Sequence, residues 1–287
     1  MDILVETLRM QPKKAHFAGL TVLFTVFLYP YVDWFANLIR EWVRDSELTY
    51  GALIPPVVAF LIWSRRDQLR KAAESGWNFG LLITLVGCVL LVMANLSSNL
   101  LLGSLALTTS AMGMIGFVWG KEKLRVTAAP LSLLVLMAPI PSYLLGELSW
   151  YLKVASSAVS SGVLRVLGIA VYQDGNLLRL PHYILEVREA CSGTRSVFAL
   201  IALSAILGVG SDLKLWKKIA LLALAPILAL VGNIIRIVGT GLLAVHFERL
   251  VANESLHLAW GITVFCGMVT MLLCFVSLLK WIDRQSA

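Results

Sequence analysis

The chain has 287 residues, of which 59% are hydrophobic and only 14% charged, and its mean hydropathy is +0.82. A soluble domain carries about 45–50% apolar and about 25% charged residues, so composition excludes a soluble globular protein and predicts a polytopic membrane protein. The formal net charge of +7 does not argue for nucleic acid. The Lys and Arg residues fall in short clusters between apolar runs, as they do in cytoplasmic loops.

A span needs about 20 apolar residues to cross about 30 Å of hydrocarbon. Runs of that kind lie at about 17–35, 48–64, 79–95, 100–119, 126–145, 192–210, 217–246 and 257–280. They predict an all-α polytopic membrane protein of about eight transmembrane helices. The chain reads as one integral membrane domain over 1–287, with its core at about 49–280. The first run ends in Tyr29-Pro30-Tyr31 without a small-residue cleavage site, so it reads as a retained span. Pro55-Pro56 predicts a kink in the second.

Orientation follows from the basic clusters. With the N-terminus cytoplasmic, the inner side collects Lys13-Lys14, Arg65-Arg66, Arg70-Lys71, Lys121 to Arg125, Lys214 to Lys218, and Lys280 with Arg284. Fewer cations, among them Arg40, Lys153, Arg165 and Arg179, fall outside. The bias predicts both termini in the cytoplasm. Residues 148–171 carry recurring serines and two embedded cations. Counted as a span, they would reverse every later loop, so they read as an amphipathic helix that lies on the outer leaflet or re-enters it. Tyr172 to Asn176 is a turn signal. The alternation from Asn176 to Val187 predicts a short periplasmic β-hairpin.

That hairpin feeds the most informative stretch, Glu186-Val-Arg-Glu-Ala-Cys-Ser-Gly-Thr-Arg-Ser196. Three of the four cysteines, Cys88, Cys266 and Cys274, sit inside apolar runs as packing residues. Cys191 alone lies at a polar boundary, between charges, and reads as a placed nucleophile. If the sixth span begins near Ser192, Arg195 shares a helix face with Cys191. Arg236 lies within the seventh span, three residues after Asn233, and His257 opens the last. Such an arginine costs about 2.5–3.5 kcal/mol on insertion scales and must face a partner or a cavity.

Cys191, Arg236 and His257 belong to three different spans, and the topology places all three towards the outer leaflet. A thiol needs a base or a positive field, because its free pKa is about 8.5. His supplies proton transfer. Arg stays protonated and serves as a fixed donor for an oxyanion. The three make a chemically complete set for acyl transfer through a thioester, with Arg195, Asn233 and Glu189 as positioning residues. Cys191, His182, His246 and His257 are the available metal ligands, and no pair has a recognisable spacing. Neither a metal nor a cofactor is expected.

These residues carry a resemblance. The core Glu-Ala-Cys-Ser-Gly-x-Arg-Ser within Glu186–Ser196 is joined by Gly168-Ile169, Asp174-Gly175-Asn176, Asn233-Ile-Ile-Arg236-Ile, and His257 near Gly261. Tyr50-Gly-Ala-Leu-Ile-Pro-Pro56 and Trp63-Ser-Arg-Arg66 precede them. The ordered set resembles the exosortase/archaeosortase family of membrane cysteine transpeptidases, from about Thr49 onward. The resemblance implies a catalytic triad of Cys191, Arg236 and His257 facing the periplasm of a bacterial inner membrane. It implies exported substrates bearing a C-terminal sorting signal: a Pro-Glu-Pro-type motif, a transmembrane helix and a basic tail. It leaves the acceptor nucleophile open. Tyr50 stands where the family often has His, which leaves the triad intact and the subtype open. The alternative is a non-enzymatic membrane component of exopolysaccharide assembly or export, in which the polar cluster is a structural lock.

Overall fold

The computed structural model describes residues 25, 27–44, 49–73, 75–139, 142–181, 183–187, 193–246 and 254–285, without the side chains of 142–145, 246 and 254–257. Residues 17–24 and 26 of the first expected span, together with His182, Glu189 and Cys191, lie outside the described residues.

A 3-10 turn, Tyr29–Tyr31, leads into α1, Val32–Arg44. A second, Thr49–Leu53, leads into α2, Ile54–Ser64, with α3 at Arg66–Lys71. Pro55 and Pro56 open α2 rather than kink it, because the first turn of a helix has no use for their missing N–H groups. Helices α4, Phe79–Ser97, and α5, Leu100–Trp119, form a hairpin. Left-handed Ser98 closes α4, and the Asn99 side chain accepts a hydrogen bond from Leu102 N at 3.0 Å to cap α5. Gly87 packs against Ser110 and Gly113 against Thr84, with no room for a side chain at either glycine. This is the close small-residue packing expected between membrane helices.

The expected span at 126–145 is not one helix. Helix α6, Lys121–Ser132, passes into a 3-10 segment, Leu133–Met137, and the chain then breaks at Ala138-Pro139. Twelve α and five 3-10 residues still cover about 28 Å. Helix α7 follows at Ser142–Val166, then strands β1, Tyr172–Asp174, β2, Leu177–Arg179, and β3, Ile184–Glu186. The sheet is an antiparallel meander of three strands, where the sequence predicts a two-stranded hairpin. Helices α8, Thr194–Val209, α9, Leu215–His246, and α10, Glu254–Gln285, complete the chain.

Four helical segments, Phe79–Ser97, Leu100–Trp119, Leu215–Val245 and Leu258–Gln285, are long and apolar enough to cross a membrane, and Thr49–Ser64 and Thr194–Val209 are shorter apolar helices. The chain is therefore a multi-pass, largely helical membrane protein. The expected eight full spans reduce to these among the described residues.

Side-chain clamps show which helix ends lie together. Arg65 donates from Nη1 to Val126 O at 3.0 Å and from Nη2 to Val209 O at 2.6 Å. Gly208 faces the Lys218 side chain, and Lys217 pairs with Asp283 at 2.8 Å. The basic clusters at 65–71, 121–125 and 214–218 thus gather at one end of the bundle. Val126 of α6 and Val209 at the end of α8 share that end.

One face of α7 is buried. Its Ser156, Ser157, Ser160 and Ser161 are at most 2% exposed. Ser156 meets Asn233 and Leu164 meets Gly241, both at a sequence offset of 77, so α7 runs parallel to α9 and in register for two turns. The serines at i, i+1, i+4 and i+5 form one helix face, and small side chains allow the two backbones to approach closely. That face turns inward, Ser156 onto α9 and Ser161 onto Gln173 of β1.

Three buried clusters hold the assembly. One surrounds Tyr31, Trp34, Leu38 and Met137, and the second joins α8, α9 and α10 through Leu200, Leu221 and Leu272. The third packs Leu178, Leu185 and Val187 of the sheet region onto Leu164 and Ile237.

Candidate functional site

The site is organised on one turn of α9, from Asn233 to Arg236. Residues three apart on a helix face the same side. Asn233 is 5% exposed, and its Nδ2 donates to Ser156 Oγ at 3.1 Å. On its other side stands Gly193, the left-handed cap of α8 with φ +80°. A methyl group built on Gly193 would lie 3.1 Å from Asn233 Cβ and Cγ. Only glycine takes that backbone region without cost and also lets the amide in. The residue two positions upstream of Gly193 is Cys191.

Arg236 meets the last helix in the same way. Its guanidinium lies against Gly261 of α10, where an added methyl would come 3.1 Å from Cζ and 3.2 Å from Nη2. The neighbouring Trp260 Nε1 donates to Arg236 O at 3.2 Å, and Thr240 Oγ1 donates to the same carbonyl at 2.8 Å. The turn carrying Arg236 is therefore tied to α10 through both backbone and side chain. Gly261 lies one helical turn after His257.

Two glycines thus dock on one turn of α9. One closely follows the candidate thiol in sequence, and the other lies one turn from the candidate imidazole. Arg236 brings a permanent positive charge between them. Asn176 Nδ2 donates to Val187 O at 3.2 Å, and Val187 N donates to Asn176 O at 3.0 Å. This pair fixes the end of the strand that leads to position 191.

Arg195 lies on the first turn of α8, which begins at Thr194 after left-handed Gly193. Cys191, with which the sequence predicts a shared helix face, lies outside the described residues. The Arg195 side chain is exposed on the first turn. Glu186 is exposed on β3.

Sequence reasoning passed over Ser156 and quoted Gly193 and Gly261 only as motif positions, without a role. Their signals were present. Ser156 belongs to the serine face on α7, and each glycine stands within one turn of a reactive residue type.

A model of the transmembrane exosortase family matches residues 42–276. The chain belongs to that family. Neither a curated protein nor a solved structure matches it. The matched range contains Cys191, Arg236, His257 and both docking glycines, so the whole arrangement belongs to the exosortase domain.

Gly261 supplies a direct test of the arrangement. Gly261→Val is expected to push the guanidinium off the α10 backbone by about 1 Å and to lower substrate processing by about 10²-fold, the cost of a misplacement of that size. Thermal unfolding of the purified variant checks that the fold is retained, and wild-type turnover in Gly261→Val would rule out a role for this contact.

Proposed function

We propose that this exosortase family member is a membrane cysteine protease/transpeptidase. It cuts exported proteins near a C-terminal sorting signal: a Pro-Glu-Pro-type motif, a transmembrane helix and a basic tail. The observation that carries the reading is the docking of Gly193 and Gly261 onto Asn233 and Arg236. It brings Gly193, two residues after Cys191 in sequence, and Gly261, four after His257, to one helical turn.

In this reading His257 accepts the thiol proton and the Cys191 sulfur adds to the scissile carbonyl carbon. The developing oxyanion is held by the Arg236 guanidinium. Collapse breaks the C–N bond, and the leaving amine takes the proton from His257. The thioester is then opened by an acceptor nucleophile, with the imidazole again as base. Asn233 positions the turn, and Glu189 and Arg195 shape the mouth. The site faces the periplasm of the inner membrane, with both termini and the basic end of the bundle in the cytoplasm, as the positive-inside bias requires.

A membrane-impermeant maleimide applied to spheroplasts tests both the side and the chemistry. Cys191 is expected to label, and Cys191→Ala to abolish the signal, because Cys88, Cys266 and Cys274 lie within spans. Labelling of Cys191 is expected to slow in His257→Ala, since the thiolate is the reactive form. Absence of labelling in wild type, or labelling only from the cytoplasmic side, would overturn the reading.

A further inference from the structure

A second polar feature lies where α7 meets the sheet. A cavity of about 540 Å³ is lined by Arg165, Ala170, Val171, Tyr172, Arg179 and Leu180. Its walls are mainly apolar, with Arg165 and Arg179 among the lining residues. Arg165 Nε donates to Val171 O at 3.2 Å, which holds that side chain at the rim and uses one of its five N–H donors. Tyr172, Arg179 and Ile184 are direct cross-strand partners and share the outward sheet face. Leu178 and Leu185 point the other way, into the core.

The surroundings are apolar and uncovered. Val166 is 89% exposed, Leu167 54%, Tyr172 66% and Ile184 60%. Leu164, beside Arg165, packs on Gly241 near the end of α9, a helix long enough to cross the membrane. The cavity therefore sits toward the end of the bundle opposite the basic clusters, near the end of a helix long enough to cross the membrane. Exposed aliphatic and aromatic side chains around paired arginines match a lipid–water boundary. The acids of this face, Asp174 and Glu186, lie in the next outward row, opposite Leu177.

We propose that Arg165 and Arg179 form a binding site for the phosphate of an anionic amphiphile, with its hydrocarbon portion on the apolar walls and on Val166, Leu167 and Ile184. Two guanidinium forks suit a phosphate diester better than ammonium groups would. An acidic peptide would gain the cations but would leave the exposed apolar rim uncovered. The site is independent of the Cys191 assignment.

The test uses the purified full-length chain in a neutral detergent. Three probes are compared: dihexanoyl phosphatidylglycerol, dihexanoyl phosphatidylcholine and inorganic phosphate. Phosphatidylglycerol is expected to raise the unfolding midpoint. The Arg165→Gln/Arg179→Gln variant is expected to bind it at least about tenfold more weakly, and the corresponding Lys variant to recover part of that loss. Arg179→Gln alone, at an exposed position, carries the test if the double variant fails to fold. Equal shifts from phosphatidylglycerol and phosphatidylcholine, or no effect of the arginine substitutions, would overturn the site. A shift from inorganic phosphate matching that from phosphatidylglycerol would overturn the amphiphile. If an acidic peptide, but not phosphatidylglycerol, loses affinity in the arginine variants, the site belongs to peptide and the proposal fails.

Discussion

Replacing Cys191 with Ala is expected to leave the substrate's C-terminal sorting segment uncut, and Cys191→Ser is expected to do almost the same. The serine comparison carries the argument. Ser and Cys differ little in volume, so a residue that only fills a helix boundary tolerates the exchange. A thiol nucleophile does not, because an imidazole that can take a proton from a group of pKa about 8.5 has far less leverage on an alcohol. Loss of a protease nucleophile lowers turnover on the order of 10⁶-fold, which in cells means full accumulation of uncut substrate. His257→Ala is expected to cost about 10²- to 10⁴-fold, the usual contribution of a general base. Arg236→Lys is expected to fall about 10²- to 10³-fold, as loss of an oxyanion donor does, because the planar fork is gone although the charge remains. The measurement is the ratio of full-length to processed substrate after a chase, with each variant present at wild-type level in the membrane. Normal processing in Cys191→Ser would remove the nucleophile assignment and favour a structural lock.

The sequence made the membrane class legible because apolar runs near bilayer length have few other uses. It also made Arg236 and Asn233 legible, since a polar pair inside a span must have a reason. The serine-rich segment was harder. Its embedded Lys153 and Arg165 suggested an amphipathic helix on, or dipping into, the outer leaflet, and Ser156, Ser157, Ser160 and Ser161 are almost wholly buried. Small side chains read as polar in a hydropathy profile but act as spacers between backbones in a membrane. The fifth span misled for a related reason. Its apolar run is continuous to Pro139, but the helix passes into 3-10 geometry at Leu133 and stops before the proline. Hydropathy records the run and not the break. Arg65 shows the opposite case. It stands in a motif that pointed to the family, yet its part in the structure is to join the carbonyls of Val126 and Val209. No local pattern announces a contact across so much of the chain. The positive-inside bias assigned Lys217 to a cytoplasmic cluster and said nothing of its burial, and the structure buries it to 2% exposure.

That lysine sets up an asymmetric result. Asp283→Ala is expected to destabilise the protein by about 3–5 kcal/mol, whereas Lys217→Met is expected to cost much less. Lys217 Nζ donates to Leu279 O at 2.9 Å and pairs with Asp283 Oδ1 at 2.8 Å, and the Asp283 side chain keeps 30% of its exposure. Removing the acid leaves an ammonium group at 2% exposure facing one carbonyl. Removing the lysine instead leaves a carboxylate that still reaches water, and Met fills most of the vacated volume. The double variant is therefore expected to recover most of the stability lost in Asp283→Ala, which detergent denaturation of the purified protein measures. Equal losses in the two single variants would show that the pair is not what stabilises this end. The pair joins the start of α9 to the end of α10, the same two helices that meet again at Arg236 and Gly261. Nineteen residues of helix separate Lys217 from Arg236, about 28 Å. A slip at one end of two stiff, close-packed helices reaches the other. Asp283→Ala is accordingly expected to lower processing at temperatures where the protein is still folded, with Lys217→Met near wild type.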